Sequence, residues 1–208
     1  MQHRQVVVIG ASAGGIDALC ELVAGLPSDF AAPIAVVLHT SPRAPGILHQ
    51  ILSRCGPLTA VTVQSGERLG PGRIYVARSD FHLLIEPGTV RIAEGPHVHR
   101  FRPAIDPLFI SAAQVYGPGA IGVILTGNLA DGIAGLWTIK RLGGIAIVQD
   151  PNDATCPSMP ENALRYVNVD HVVPLCEIAS VLASIVQTRS PAADTRALAE
   201  GGTAAQRG

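Results

Sequence analysis

The segment Gly10-Ala11-Ser12-Ala13-Gly14-Gly15 sets a serine between glycines directly after the β-branched run Val6-Val7-Val8-Ile9. A G-x-S-x-G pattern at a strand-to-helix junction reads as a nucleophile elbow. The flanking glycines permit a tight turn that lifts the hydroxyl above the strand end, with the helix dipole behind it. A serine hydroxyl is a weak nucleophile until a histidine takes its proton. The histidine in turn works best when a carboxylate fixes its tautomer and stabilises the imidazolium. His39 directly follows the apolar run 34–38, and Asp131 follows the run 120–126 through Gly127-Asn128-Leu129-Ala130. Ligands of open α/β sheets bind at the carboxyl ends of the strands. The expectation is therefore that Ser12 (nucleophile), His39 (general base) and Asp131 (orienter) converge. The chain order Ser, His, Asp differs from the Ser, Asp, His of α/β-hydrolases, so the elbow does not imply that fold.

Other chemistries for the same residues fit less well. A dinucleotide fingerprint requires glycine where Ser12 stands and an acid where His39 stands, and a phosphate loop requires a Gly-Lys-Ser/Thr that is missing. Asp131, just before Gly132, also occupies the place of a helix N-cap. His97-x-His99 beside Arg100, with His82 as a third ligand, has the look of a metal pair. It lacks a Cys or carboxylate at supportive spacing and reads as loop histidines; no metal or cofactor is expected. Trp137 and Phe109 fall in helical apolar patterns and Cys20 on an apolar helix face, so all three are expected in the core.

The elements that must hold these groups follow from periodicity. The run closed by Gly10 is followed by Ile16, Leu19, Leu22, Val23 and Leu26 at helical spacing, so a strand feeds a helix. Residues 33–38 form a second strand pattern, followed by a short helix through Ile47, Leu48, Ile51 and Leu52. After Pro57 come short strand-like pieces at 58–63, 73–77, 82–85 and 90–93. Glu86-Pro87-Gly88-Thr89 fits a type II turn, so the last two form a hairpin. Helix, strand, helix and strand return at 105–116, 120–126, 133–142 and 145–149, and Ile178, Val181, Leu182, Ile185 and Val186 mark a closing helix. The expected fold is a doubly wound, mostly parallel α/β sheet with helices on both faces and an inserted antiparallel β-hairpin. It forms one domain over 1–187. Residues 188–208 are poor in large apolar side chains and are expected to be a disordered tail.

Composition limits the setting. The 208 residues are 48% hydrophobic and 15% charged, with a formal net charge of −1. No field draws the chain to nucleic acid or an acidic membrane, and no apolar run approaches the ~20 residues of a membrane span. Four widely spaced cysteines in a fold that needs no staples point to a reduced, cytoplasmic protein.

Several ordered motifs together resemble the catalytic domain of the bacterial chemotaxis protein-glutamate methylesterases, the CheB type. They are 8–15 around Ser12, Leu38-His39, Gly66-Glu67 with Pro71-Gly72, Arg102-Pro103 with Asp106, Leu125-Thr126-Gly127 with Asp131-Gly132, and Met159-Pro160. The resemblance implies a Ser-His-Asp triad on Ser12, His39 and Asp131. It implies a cytoplasmic signal-transduction enzyme of chemotaxis that hydrolyses glutamate γ-methyl esters on chemoreceptor helices, releases methanol and deamidates glutamine as a side activity. The amide of Ala13 is a physical candidate for the oxyanion site, and the family pattern adds a second amide near Asn128, with Arg102 beside the substrate. The family's receiver domain has no room before Val6, so a stand-alone catalytic domain is expected, either unregulated by phosphorylation in cis or controlled by a separate response-regulator partner. The sequence departs from the family pattern in three places. Asn128-Leu129-Ala130 stands where Met-Gly-x is common, Phe101-Arg102-Pro103-Ala104 where His-Arg-Pro-Ser is, and Arg78-Ser79-Asp80-Phe81-His82 where Pro-Gly-Asp-x-His is. The rival readings are a noncatalytic adaptor that keeps the fold and docks on receptors or signalling partners, and a small-molecule esterase on the same scaffold.

Overall fold

A computed structural model describes residues 5–41 and 43–188. The expected tail therefore lies outside the described residues except for Thr188, which ends the last helix. Strands β1 (Val6–Ala11), β2 (Ile34–Leu38), β3 (Thr59–Thr62), β4 (Arg73–Val76), β7 (Ala120–Ile124), β8 (Ile145–Gln149) and β9 (His171–Val173) form one parallel sheet in the order β3-β4-β2-β1-β7-β8-β9. Strands β5 (His82–Glu86) and β6 (Thr89–Ala93) make a separate antiparallel hairpin. Gly88 at its turn has φ 74°, the left-handed position that a type II turn reserves for glycine.

The central strands are apolar on both faces because each face is covered. On one side Val7 and Ile9 of β1, Ile34 and Val36 of β2 and Ile121 and Val123 of β7 pack with helices α1 (Gly15–Ala24), α2 (Leu48–Cys55) and α6 (Leu175–Thr188). The alternate residues, Val6, Val8, Ala35, Val37 and Ile124, pack on the other side with α3 (Ile105–Tyr116), α4 (Ile133–Arg141), α5 (Ser158–Tyr166) and the hairpin. The period-two split along each strand yields two cores from one apolar run.

Several expectations are corrected. Helix α5 and strand β9 were not legible, because Pro157 and Pro160 at the start of α5 read as loop and β9 is only three residues long. Ile16 is 45% exposed and Trp137 48% exposed, with the Arg141 guanidinium 5.3 Å from the indole centroid, whereas Phe109 is fully buried as expected. Cys20 and Cys55 are joined in a disulfide, contrary to the expectation of four reduced thiols; Cys156 and Cys176 are free. The pairing arises because α1 packs along α2, which brings Cα atoms separated by 35 residues in sequence to 5.2 Å. Among the described residues, no helix is long and apolar enough to cross a membrane.

The chain leaves β1 toward β2 on one side and returns to β7 on the other. The crevice between β1 and β7 is thus the point where the winding reverses, where open α/β sheets bind ligands.

Candidate active site

Ser12 sits immediately past β1, its amide hydrogen-bonded to Thr126 O at 3.0 Å and its carbonyl closing the turn onto the Gly15 amide at 2.9 Å. Gly14 adopts φ 75°, and a β-carbon there would stand 2.9 Å from Thr155 Cβ. This crowding and left-handed geometry explain why the elbow needs glycine. Gly127 is needed for another reason: its β-carbon would approach Ser12 Cβ to 2.8 Å, so the β7 loop passes the nucleophile with backbone only.

His39 is placed by the parallel pairing of β2 with β1, which its own amide continues by donating to Ala11 O at 3.1 Å. Its Nδ1 lies 3.1 Å from Ser12 Oγ and its Nε2 2.6 Å from Asp131 Oδ2. Both side chains of the His39–Asp131 pair are nearly sealed from solvent, at 2% and 0% exposure. With the ring proton on Nε2 facing the carboxylate, Nδ1 is left free to accept the serine proton. The structure thus brings all three expected residues into one hydrogen-bonded line.

Asp131 is held from a direction that the sequence did not suggest. The N-cap of α4 is Gly132, and the Asp131 carboxylate instead accepts from the first amides of α3, Ile105 N at 2.7 Å on Oδ2 and Asp106 N at 3.1 Å on Oδ1. Helix α3 has Ala104 at its N-cap position, with no side-chain cap of its own. An uncapped helix start leaves amide donors that need partners, and that was the one sequence signal for this contact. These donors fix the carboxylate in place against His39 Nε2.

The arrangement is reciprocal. Asp106, on α3, accepts from Gly135 N of α4 at 2.7 Å and lies 3.1 Å from His99 Nε2. Burial pushes the Asp106 carboxyl above the usual aspartate range; the Gly135 bond works against this, and the charge of Asp131 adds to it. His99, Asp106 and Asp131 present ligand-type atoms within 4.8 Å of one another, a grouping the sequence did not reveal. All these atoms have partners inside the protein, so the trio reads as a hydrogen-bond network linking α3 to α4. His82 is engaged elsewhere, its Nε2 near Pro96 O at 2.9 Å and its Nδ1 accepting from Ala104 N at 3.3 Å.

Of the expected substrate-side groups, the amides of Ala13 and Asn128 make no hydrogen bond to the described protein. Arg102 is engaged internally, with its guanidinium on Asp80 Oδ1 at 2.9 and 2.8 Å and on Gly95 O at 2.8 Å. Leu129, where the family pattern has glycine, adopts φ 72° with its side chain 54% exposed and its carbonyl held by Asn162 Nδ2 at 2.9 Å. The loop therefore keeps a glycine-like backbone despite the larger residue. A cavity of about 570 Å³ is lined by Ile16, Leu38, Thr40, Ile51, Phe81 and neighbours, and Ser12, His39 and Asp131 are not among its lining residues. Sequence reasoning gave no role to Phe101, whose ring stacks on His39 with centroids 3.6 Å apart and planes 4° from parallel.

Comparison with known proteins adds an independent line. The model of the CheB methylesterase family matches residues 7–182. A putative protein-glutamate methylesterase/protein-glutamine glutaminase of Leptospira interrogans is 40% identical over 186 residues, covering 89% of this chain and 96% of the relative. A protein-glutamate methylesterase/protein-glutamine glutaminase of Anaeromyxobacter dehalogenans is also 40% identical, covering 88% of this chain but 54% of the relative; the chain thus spans about half of that protein. The crystal structure of the Thermotoga maritima CheB methylesterase catalytic domain superposes with a TM-score of 0.83 at 34% identity, covering 87% of this chain and 98% of that one.

Proposed function

The chain belongs to the CheB methylesterase family, and we propose that it is a serine hydrolase that removes methyl groups from glutamate γ-methyl esters of chemoreceptor proteins. The observation that carries this reading is the unbroken line from Ser12 Oγ through His39 to the buried Asp131 carboxylate. His39 Nδ1 takes the Ser12 proton as Oγ attacks the ester carbonyl. The tetrahedral oxyanion is met by the free amides of Ala13 and Asn128. The imidazolium, stabilised by Asp131, then protonates the departing methoxide, and methanol leaves. Water, deprotonated by the same imidazole, attacks the acyl-enzyme and frees the glutamate. An amide substrate would follow the same course with ammonia as the leaving group, which is the deamidase side activity. In this reading the substrate lies on the cytoplasmic helices of methylated receptors, the protein acts in the cytoplasm, and a separate response regulator is the partner that governs access.

The test is methanol release from methylated chemoreceptor membranes by the purified protein beside its Ser12→Ala variant. Release that falls by ~10³-fold or more in the variant supports the reading, on the scale of removing a triad nucleophile. Equal release by the two proteins overturns it. A fluorophosphonate probe separates the adaptor alternative, since only an activated hydroxyl is labelled.

A further inference from the structure

Two hydrogen bonds in the plane of an imidazole leave one freedom unconstrained. Contacts at Nδ1 and Nε2 lie along a line across the ring, from Ser12 to Asp131, and the ring can rock out of its plane, Nδ1 to one side and Nε2 to the other, with little change in either distance. Rocking turns the Nδ1 lone pair away from the serine hydroxyl and from the leaving group that it must next protonate. A flat surface against the ring face removes this freedom while leaving in-plane motion open. Phe101 supplies such a surface, 3.6 Å between centroids and 4° between planes.

The Phe101 ring is itself well anchored. Its backbone pairs with Val98 in both directions, Phe101 N to Val98 O at 2.8 Å and Val98 N to Phe101 O at 3.1 Å. The turn between them places His99 at φ 49° and Arg100 at φ 72°, left-handed positions that side chains other than glycine resist. Bonds on either side hold this turn: His99 to Asp106, and Arg102 to Asp80 and Gly95. Three residues beyond Arg102, the same segment supplies the Ile105 and Asp106 amides that grip Asp131. One stretch of chain, 98–106, thus braces both the base and its orienting carboxylate.

The geometry points to Phe101 as a positioning residue for acyl transfer, its stacked ring keeping the plane of the His39 imidazole in line with Ser12 and Asp131. This role rests on the triad chemistry proposed for Ser12, His39 and Asp131. Planarity, rather than bulk, is the property required, and this is what separates it from ordinary packing.

The experiment compares Phe101→Tyr, which keeps a flat ring, with Phe101→Leu and Phe101→Met, which keep apolar bulk without one. For each, the rate of fluorophosphonate labelling and the kcat and KM for p-nitrophenyl acetate are measured in the full chain. Circular dichroism checks folding, and Ser12→Ala serves as control. The expected result is a fall of ~10-fold or more in labelling and in kcat for the non-planar variants, with KM within about twofold and the tyrosine variant within about threefold of the parent, on the scale of impaired general-base catalysis. If only one of the non-planar variants folds, that one decides. The inference is overturned if a folded non-planar variant matches the parent, or if the tyrosine variant falls as far as they do. Activity that survives in Ser12→Ala would instead overturn the triad reading and this inference with it.

Discussion

Replacing Asp131 by asparagine tests the site most sharply, because the change is nearly isosteric and its consequences can be worked from the contacts. The carboxylate accepts three bonds on two oxygens: His39 and the Ile105 amide on Oδ2, the Asp106 amide on Oδ1. An asparagine has only one oxygen. Turned toward Oδ2, it keeps His39 and Ile105 but sets its NH2 against the Asp106 N–H. Turned toward Oδ1, it faces Ile105 N–H with a donor and offers a donor to His39 Nε2, which drives the ring proton to Nδ1 and removes the base. The first orientation leaves a buried donor unpaired at a cost of about 1–3 kcal/mol and forfeits a charge-assisted bond to the imidazolium worth about 1.5–3 kcal/mol. The second stops proton transfer outright. Together they imply a fall in kcat of ~10³ to 10⁴, the scale found when a triad aspartate is neutralised in serine proteases. KM should stay within a few-fold, because Asp131 is fully buried. Steady-state methanol release from methylated receptor membranes and the fluorophosphonate labelling rate measure this directly, with thermal melts to confirm folding. A folded Asp131→Asn protein with kcat within tenfold of the parent would refute the assignment of Asp131 as the orienter.

Two further outcomes follow from the surrounding contacts. Asp106 has its carboxyl pushed above the usual range by burial, so the folded chain holds its proton more tightly than the unfolded chain. That contribution to stability is full below the unfolded aspartate range and is lost as pH rises through the folded value. Asp106→Asn can accept from Gly135 and donate to His99, so its urea midpoint should vary less over this window than that of the parent; an unchanged pH dependence would mean that Asp106 is not its source. Leu129→Gly relieves a left-handed residue at a cost of about 1–2 kcal/mol, offset by about 0.5–1 kcal/mol of added chain entropy, with little burial lost from a half-exposed side chain. The net gain of about 0.5 kcal/mol should raise Tm by about 1–2 °C in differential scanning calorimetry. A lower Tm would mean that the leucine side chain contributes contacts that outweigh the strain.

What the sequence revealed, and what it did not, has a common cause. Ser12, His39 and Asp131 each follow an apolar run at a predictable distance, and a parallel sheet aligns such strand ends, so local pattern and general topology suffice to bring them together. Trp137 and Ile16 misled because helical spacing marks an apolar stripe without marking its edge, and each lies where its helix turns toward solvent. The Cys20–Cys55 pair depends on how α1 meets α2, which no spacing encodes.

The supporting contacts of the triad were illegible for a deeper reason. Phe101, His99 and Arg102 lie in an irregular segment with no period, and their partners are a strand-end histidine, a helix-borne aspartate and a loop aspartate. The exchange between α3 and α4 is also carried largely by backbone amides, which residue type does not announce: Asp131, just before α4, closes the start of α3, and Asp106, on α3, takes a donor from α4. Such an exchange ties the alignment of two helices to the position of the catalytic carboxylate. A shift of α4 along α3 would draw Asp131 from His39 and Gly135 from Asp106 together. The packing of these helices, which share one core on their face of the sheet, therefore serves the chemistry as much as the core.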